Sequence, residues 1–189
     1  MSKALELKKH LRRGTVYRRS ELEQWSRSVD RHIGELISDG TLEKVGPSLY
    51  YYPKQNIFGK EPPQNNMLIK KYLKGGEFLI TSYNHYNRLG LGTTQLYNNM
   101  LVYNHSRSGE VKLGNKLFKF KKKGDFPTES TKEFLIVDLV NNLTELAEDQ
   151  SEILKRVHET LPGLDTKVLN ATLKKYGTAR TRKMLTVKI

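Results

Sequence analysis

The sequence predicts an α+β chain: three short helices and a β-hairpin, then a second α+β region closed by a helical tail. Three observations predict it. Apolar residues in the first forty positions recur at helical spacing. Residues 41–52 form two short β-prone runs on either side of Gly46-Pro47-Ser48. Beyond residue 128 come three apolar-periodic stretches, separated by Glu148-Asp149 and by Pro162-Gly163.

Residues 2–12 read as the first helix, with Ala4, Leu5, Leu7 and Leu11 apolar and Gly14 as its stop. Thr15-Val16-Tyr17 is a short extended piece. Ser20-Glu21-Leu22-Glu23 fits a capping box that opens a second helix through Trp25. The third helix starts near Ser26 or Ser28 and stops at Asp39-Gly40, a glycine where a left-handed residue is wanted. Two strands, 41–45 and 49–52, then make the hairpin, with Pro53 ending it. Three helices followed by a hairpin is the order of a winged helix-turn-helix, here residues 1–54. Residues 55–64, with Gly59 and Pro62-Pro63, read as a linker.

Residues 65–189 form the second domain. It opens with a helix at 65–74, a buried strand at 77–82 and a further helix at 83–89. Residues 100–103, 110–113 and 116–121 read as a meander, with Gly114-Asn115 a tight turn. Helices follow at 129–147, 150–161 and 165–176, and a last one runs from Thr178.

The chain carries a net charge of +13 over 189 residues, so polyanions are natural partners. That charge is uneven: residues 1–60 carry +5, residues 61–127 carry +7 and residues 128–189 carry +1. A bound polyanion is therefore expected on the first two segments. The absence of cysteine excludes disulfides, thiolate metal sites and a cysteine nucleophile. The start, MSKALELKKHLRRG, lacks the apolar core of a signal peptide, and Phe134-Leu135-Ile136-Val137 is far too short to span a bilayer. A soluble, cytosolic protein is expected.

On a helical wheel Val29, Ile33, Leu36 and Ile37 share one arc and face the core. Arg27, Arg31, Gly34, Glu35 and Ser38 lie opposite, with Ser28 at the edge. In a helix-turn-helix this third helix lies in the major groove, its N-terminal residues against base edges. Arg27 and Arg31, one turn apart, suit bidentate contacts to guanine O6 and N7. Gly34 lets the helix backbone approach closely, and the Ser28 hydroxyl and the helix N-terminus suit a phosphate. Arg18, Arg19 and Ser20 stand where such a fold touches backbone, and Lys44 and Ser48 flank the hairpin turn. A surface cluster of this kind is also compatible with an ordinary solvated face. The basic residues at three separate points tilt the reading toward double-stranded DNA. Tyr51 should face opposite to Tyr50 and Tyr52, and Trp25 reads as a core anchor.

No enzyme constellation is present in the sequence. His10, His32, His85, His105 and His158 are scattered without metal-ligand spacing, and His32 reads as a surface residue beside the basic face. There is neither a G-x-S-x-G elbow nor a P-loop, and no cofactor is suggested. Lys119 and Lys121 line one face of a strand, either as backbone contacts for DNA or as gatekeepers against edge pairing. Arg180 and Arg182, in GTARTRK, read either as a phosphate or partner contact or as an exposed helix end.

The stretch YRRSELEQWSRSVDRHIGELISDGTLEKVGPSLYYYPK resembles the N-terminal winged helix of AbiEi-type antitoxins from bacterial type IV toxin–antitoxin systems. SYNHYNRLGLGTTQ resembles that family's "A…LGL.TQ" segment, and LVYNHSRSGEVKLGNKLFKFKK its following strands. DLVNNLTELAED and YGTARTRK resemble its helical tail. Together the likeness covers most of residues 12–185. It implies an autorepressor that binds inverted repeats in its own promoter and counters a nucleotidyltransferase-like toxin without a stable complex. It implies DNA-reading roles for Arg27, Ser28 and Arg31, with Arg18 and Arg19 before them. One departure is that Tyr83 or Asn84 stands where the family has a small residue. The rival expectation is a protein-interaction module that binds and neutralises a partner directly.

Overall fold

The computed structural model describes residues 3–91 and 96–185. Its elements in chain order are α1 (Lys3–Lys9), β1 (Thr15–Arg18), α2 (Arg19–Leu22) with a 3-10 turn (Glu23–Trp25), and α3 (Val29–Ser38). Next come β2 (Glu43–Gly46), β3 (Leu49–Tyr52), β4 (Gln55–Asn56), β5 (Gly59–Lys60) and α4 (Asn65–Tyr72). β6 (Phe78–Thr81), a 3-10 helix (Tyr83–Leu89), β7 (Met100–Asn104), β8 (Gly109–Leu113) and β9 (Lys116–Lys122) follow. α5 (Lys132–Asn141), α6 (Gln150–Thr160), α7 (Thr166–Tyr176) and α8 (Ala179–Leu185) complete the fold, which is mixed α+β with a helical C-terminal region.

The chain divides into two compact units, Met1–Glu77 with Gly109–Phe118, and Phe78–Ser108 with Lys119–Ile189. This is not the expected division at residues 55–64. Those residues make the small β4–β5 hairpin, and α4 packs on β1, with the Val16 N–H pointing at the Met67 sulfur at 3.3 Å.

In the first unit β3 is the central strand, pairing antiparallel with β1 from Thr15↔Tyr52 to Arg18↔Leu49 and with β2 on its other side. Leu7 of α1 and Leu11 just after it meet Leu22, Val29, Ile33, Leu36 and Leu42 in one apolar core. Each such side chain, fully buried, contributes about 1.5–3 kcal/mol. Tyr51 is buried while Tyr50 and Tyr52 are half-exposed, as the strand alternation requires. Gly40 follows α3 at φ 75°, the left-handed position a glycine fills without strain. The Gly114 turn braces β2: its N–H donates to the Val45 carbonyl at 2.7 Å, and Leu113 packs where Gly46 has no side chain.

Several expectations are corrected here. The cap of α2 lies two residues earlier than the Ser20–Glu23 box, because Glu21, not Glu23, accepts the Arg18 N–H at 2.7 Å. Ile37 is 37 % exposed; at 80° from Val29 on the wheel it sits at the margin of the buried arc. Trp25 is 38 % exposed and stacks on His10 at 5.2 Å, covering the core from outside rather than anchoring it. The strand order β6-β7-β9-β8 is not a meander, since β9 and not β8 follows β7.

In the second unit β6 pairs antiparallel with β7, from Phe78↔Asn104 to Thr81↔Leu101. α5 is buried from Phe134 to Val140 and forms the centre of a core with Leu79, Leu101, Tyr103, Ile153, Val157, Leu173 and Leu185. The tail helices start on side-chain caps: Thr131 accepts from the Phe134 N–H, Asp149 from Ser151 and Glu152, and Asp165 from Lys167 and Val168. Residues 92–95, part of the SYNHYNRLGLGTTQ segment, and residues 186–189 lie outside the described residues.

Candidate nucleic-acid interface

α3 keeps Val29, His32, Ile33 and Leu36 inside and leaves Arg31, Gly34, Glu35 and Ser38 exposed; Arg27 and Ser28, just before its first turn, are exposed too. Ser28 is the N-cap, and its carbonyl accepts the His32 N–H at 3.1 Å while its hydroxyl makes no cap bond. The first N–H groups of α3 therefore remain available at a positive helix end. Arg27 has no hydrogen bond or ion pair among the described residues. Nothing would meet a Cβ at Gly34 within 4 Å, so the helix surface there is bare backbone.

Arg31 is held from two sides. Its Nη2 lies 3.2 Å from His32 Nε2, and its Nε lies 3.7 Å from Glu35 Oε1. His32 is buried, and its Nδ1 meets the Ser26 hydroxyl at 2.6 Å. The expectation of a surface histidine is corrected: at 300° on the wheel His32 falls beside Leu36 on the buried arc. An arginine donating to Nε2 leaves the ring proton on Nδ1, so His32 links the entry of α3 to one of the expected base readers.

Arg19 is not a free cation. Its Nε and Nη2 donate to the two Asp30 oxygens at 2.7 Å each, and its Nη1 to Glu23 at 3.1 Å. The hydrogen bond to Asp30 holds the Arg19 guanidinium above its ordinary value and keeps the Asp30 carboxyl below the usual carboxylate range. The Arg19 N–H also donates to the Ser48 carbonyl at 2.9 Å. Ser48 sits at φ 55° in the two-residue turn. Start of α2, start of α3 and hairpin turn are thus joined at one place. Ser20 and Lys44 are exposed; Arg18 is half-exposed beside Glu21. Burial alone would raise the Glu21 carboxyl, but the Arg18 N–H and the Lys71 ammonium outweigh it and hold it low.

The strand lysines do not line an open face. Lys119 donates to Glu145 Oε2 at 2.9 Å; Lys121 donates to the other Glu145 oxygen and to Asn142 Oδ1 at 2.8 Å. β9 is flanked by β7 and β8, so an edge-guarding role also lacks its premise. Behind them Asp138, fully buried, accepts from the Tyr103 hydroxyl at 2.7 Å, the Tyr86 hydroxyl at 2.9 Å and Lys123 at 3.0 Å. Burial and the nearby Asp138 charge push both tyrosines up. Burial would raise Glu145, but the Lys121, Lys119 and Tyr83 bonds hold it at about 2. At the tail, Arg180 reaches Gln150 at 3.4 Å and Arg182 donates to the Gly177 carbonyl at 3.1 Å. These residues build the second unit's polar interior and helix ends; the first unit brings the remaining expected residues together.

Among the described residues no group of three His, Asp or Glu side chains is placed to hold a metal ion. Nor is any helix among them long and apolar enough to cross a membrane. Compared with family models, with curated proteins and with solved structures, the chain matches none.

Proposed function

We propose that this chain is a sequence-specific DNA-binding autorepressor that acts as the antitoxin of a bacterial type IV toxin–antitoxin system, opposing a nucleotidyltransferase-like toxin. α1 to α3 with β1 to β3 are read as a winged helix-turn-helix, with α3 as the reading helix. The observation that carries the reading is the outer face of α3, where Arg27, Ser28 and Arg31 stand exposed around an unused helix N-terminus and bare Gly34. Arg31 in the first turn of α3 and Arg27 just before it suit the edge of guanine, and the open N–H groups suit a phosphate. The +12 carried by residues 1–127, out of +13 for the chain, suits a polyanion. The antitoxin role rests on the resemblance of the second region's segments to the AbiEi type. Fluorescence anisotropy with the duplex upstream of the gene, against a shuffled duplex at two salt concentrations, tests DNA reading. Co-expression with the product of the adjacent gene tests antitoxicity. Preference for the native duplex and restored growth are expected; equal binding to both duplexes rejects the repressor reading.

A specific feature favours the rival protein-docking reading. Ile57 and Phe58, at the tip of the β4–β5 hairpin, are 92 % and 91 % exposed, an apolar pair that a protein partner would cover. Stable co-purification with the adjacent gene product, lost in Phe58→Ser, is what that reading expects.

A further inference from the structure

The last turn of α4 carries Lys70 and Lys71, and Lys74 follows just past its C-cap, all inside the first unit. Cations at a helix C-terminus are ordinarily explained by the helix dipole alone. The dipole does not account for where these side chains lie. Together with Arg18 they line a cleft of about 250 Å³ whose floor is Met67 and whose one carboxylate is Glu21. Glu21 is already used: it accepts the Arg18 N–H at 2.7 Å and the Lys71 ammonium at 2.5 Å. Lys70 and Lys74 are exposed, and neither ammonium has a hydrogen bond or ion pair among the described residues. Of the four cations lining a cleft that begins at the start of α2, Lys71 is engaged by the single acid, and Lys70 and Lys74 face solvent unpaired.

We propose that this cleft is a second phosphodiester-binding surface, in which Lys70 and Lys74 hold the DNA backbone beyond the reach of α3. The inference rests on the DNA-binding reading, which puts the start of α2 against the backbone; α4 carries that contact past Arg18. The contact is electrostatic and carries no sequence choice, so it sets affinity and salt dependence rather than operator preference. Lys71 acts differently, fixing Glu21 and with it the cap of α2.

The test compares wild-type protein with Lys70→Gln/Lys74→Asn on the upstream duplex and on a shuffled one, from 50 to 200 mM salt. Asparagine tolerates the left-handed Lys74 backbone, at φ 60°. The expected result is a plot of log affinity against log salt shallower by about 2, with both duplexes weakened by the same factor. Lys70→Glu, a second variant, should weaken both duplexes further. An unchanged slope and unchanged affinity in a variant with wild-type melting overturn the proposal, and so does weakening confined to the upstream duplex. Failure of the wild-type protein to prefer the upstream duplex is a separate outcome. It rejects sequence reading by α3, while the salt slope still decides the cleft.

Discussion

The Arg19 guanidinium and the Asp30 carboxylate meet as a two-pronged pair, Nε to Oδ1 and Nη2 to Oδ2, both at 2.7 Å. The pair joins the first residue of α2 to the first turn of α3, and the Arg19 N–H ties both to the hairpin turn at Ser48. Arg19, one of the residues expected at a DNA backbone, is thus engaged by acids and ties the start of α2 to that of α3. Planar, bidentate geometry restricts the angle between the two in a way a lysine would not.

Asp30→Asn keeps the shape of the pair and removes its charge. Arg19 is then released toward solvent and phosphate. Binding to a shuffled duplex should tighten, with a salt slope steeper by about 1, and preference for the upstream duplex should fall. Anisotropy titrations on the two duplexes check this. Unchanged binding to the shuffled duplex would mean that Arg19 has no access to DNA even when freed.

Gly34 sits mid-helix with open space where a Cβ would point. Gly34→Ala should stabilise the fold by about 0.5–1 kcal/mol, since alanine restricts the unfolded chain and favours helix. On the DNA reading the added methyl also intrudes between α3 and the groove, so specific binding should weaken. Urea denaturation and anisotropy on the same preparation give both numbers. A stabilised variant that binds the upstream duplex as tightly as wild type removes Gly34 from the interface.

The second unit carries an acid-sensitive contact. Glu145 is held at about 2 against an ordinary 4.5 by Lys121, Lys119 and Tyr83. A depressed carboxyl stabilises the folded state above the unfolded value. That contribution is present above about pH 4.5 and is lost as pH falls from there toward 2. Glu145→Gln should therefore lower stability at pH 6 and flatten its decline on acidification, measured by denaturant unfolding between pH 6 and pH 3. Parallel pH curves for variant and wild type would show that the lysine contacts do not hold in solution.

Local patterns were legible where one element decides its own fate. The apolar arc of α3 at Val29, Ile33 and Leu36 (though not at Ile37), the alternation around Tyr51 and the glycine after Asp39 all follow from periodicity or backbone freedom, and the structure carries them. What depends on residues far apart in sequence was not legible. Nothing local tells that Glu145 and Asn142 will cover Lys119 and Lys121, or that α4 and the Gly114 turn pack with the first unit. The swapped order of β8 and β9 is likewise a property of pairing, not of either strand. His32 is the exception, since its wheel position beside Leu36 already marked it as buried. Of the candidate site, the exposed row Arg27, Ser28 and Arg31 was readable from sequence, and the engagement of Arg19 by Asp30 was not.

The central claim is that α3 reads sequence through Arg27 and Arg31, and the ratio of affinities for the upstream and shuffled duplexes tests it most directly. Wild-type protein should favour the upstream duplex by about 10³ or more at physiological salt. Arg27→Ala and Arg31→Ala should each remove about 1–3 kcal/mol of that preference and leave binding to the shuffled duplex nearly unchanged. Equal affinity of the wild-type protein for both duplexes, or variants that discriminate as well as wild type, would contradict it.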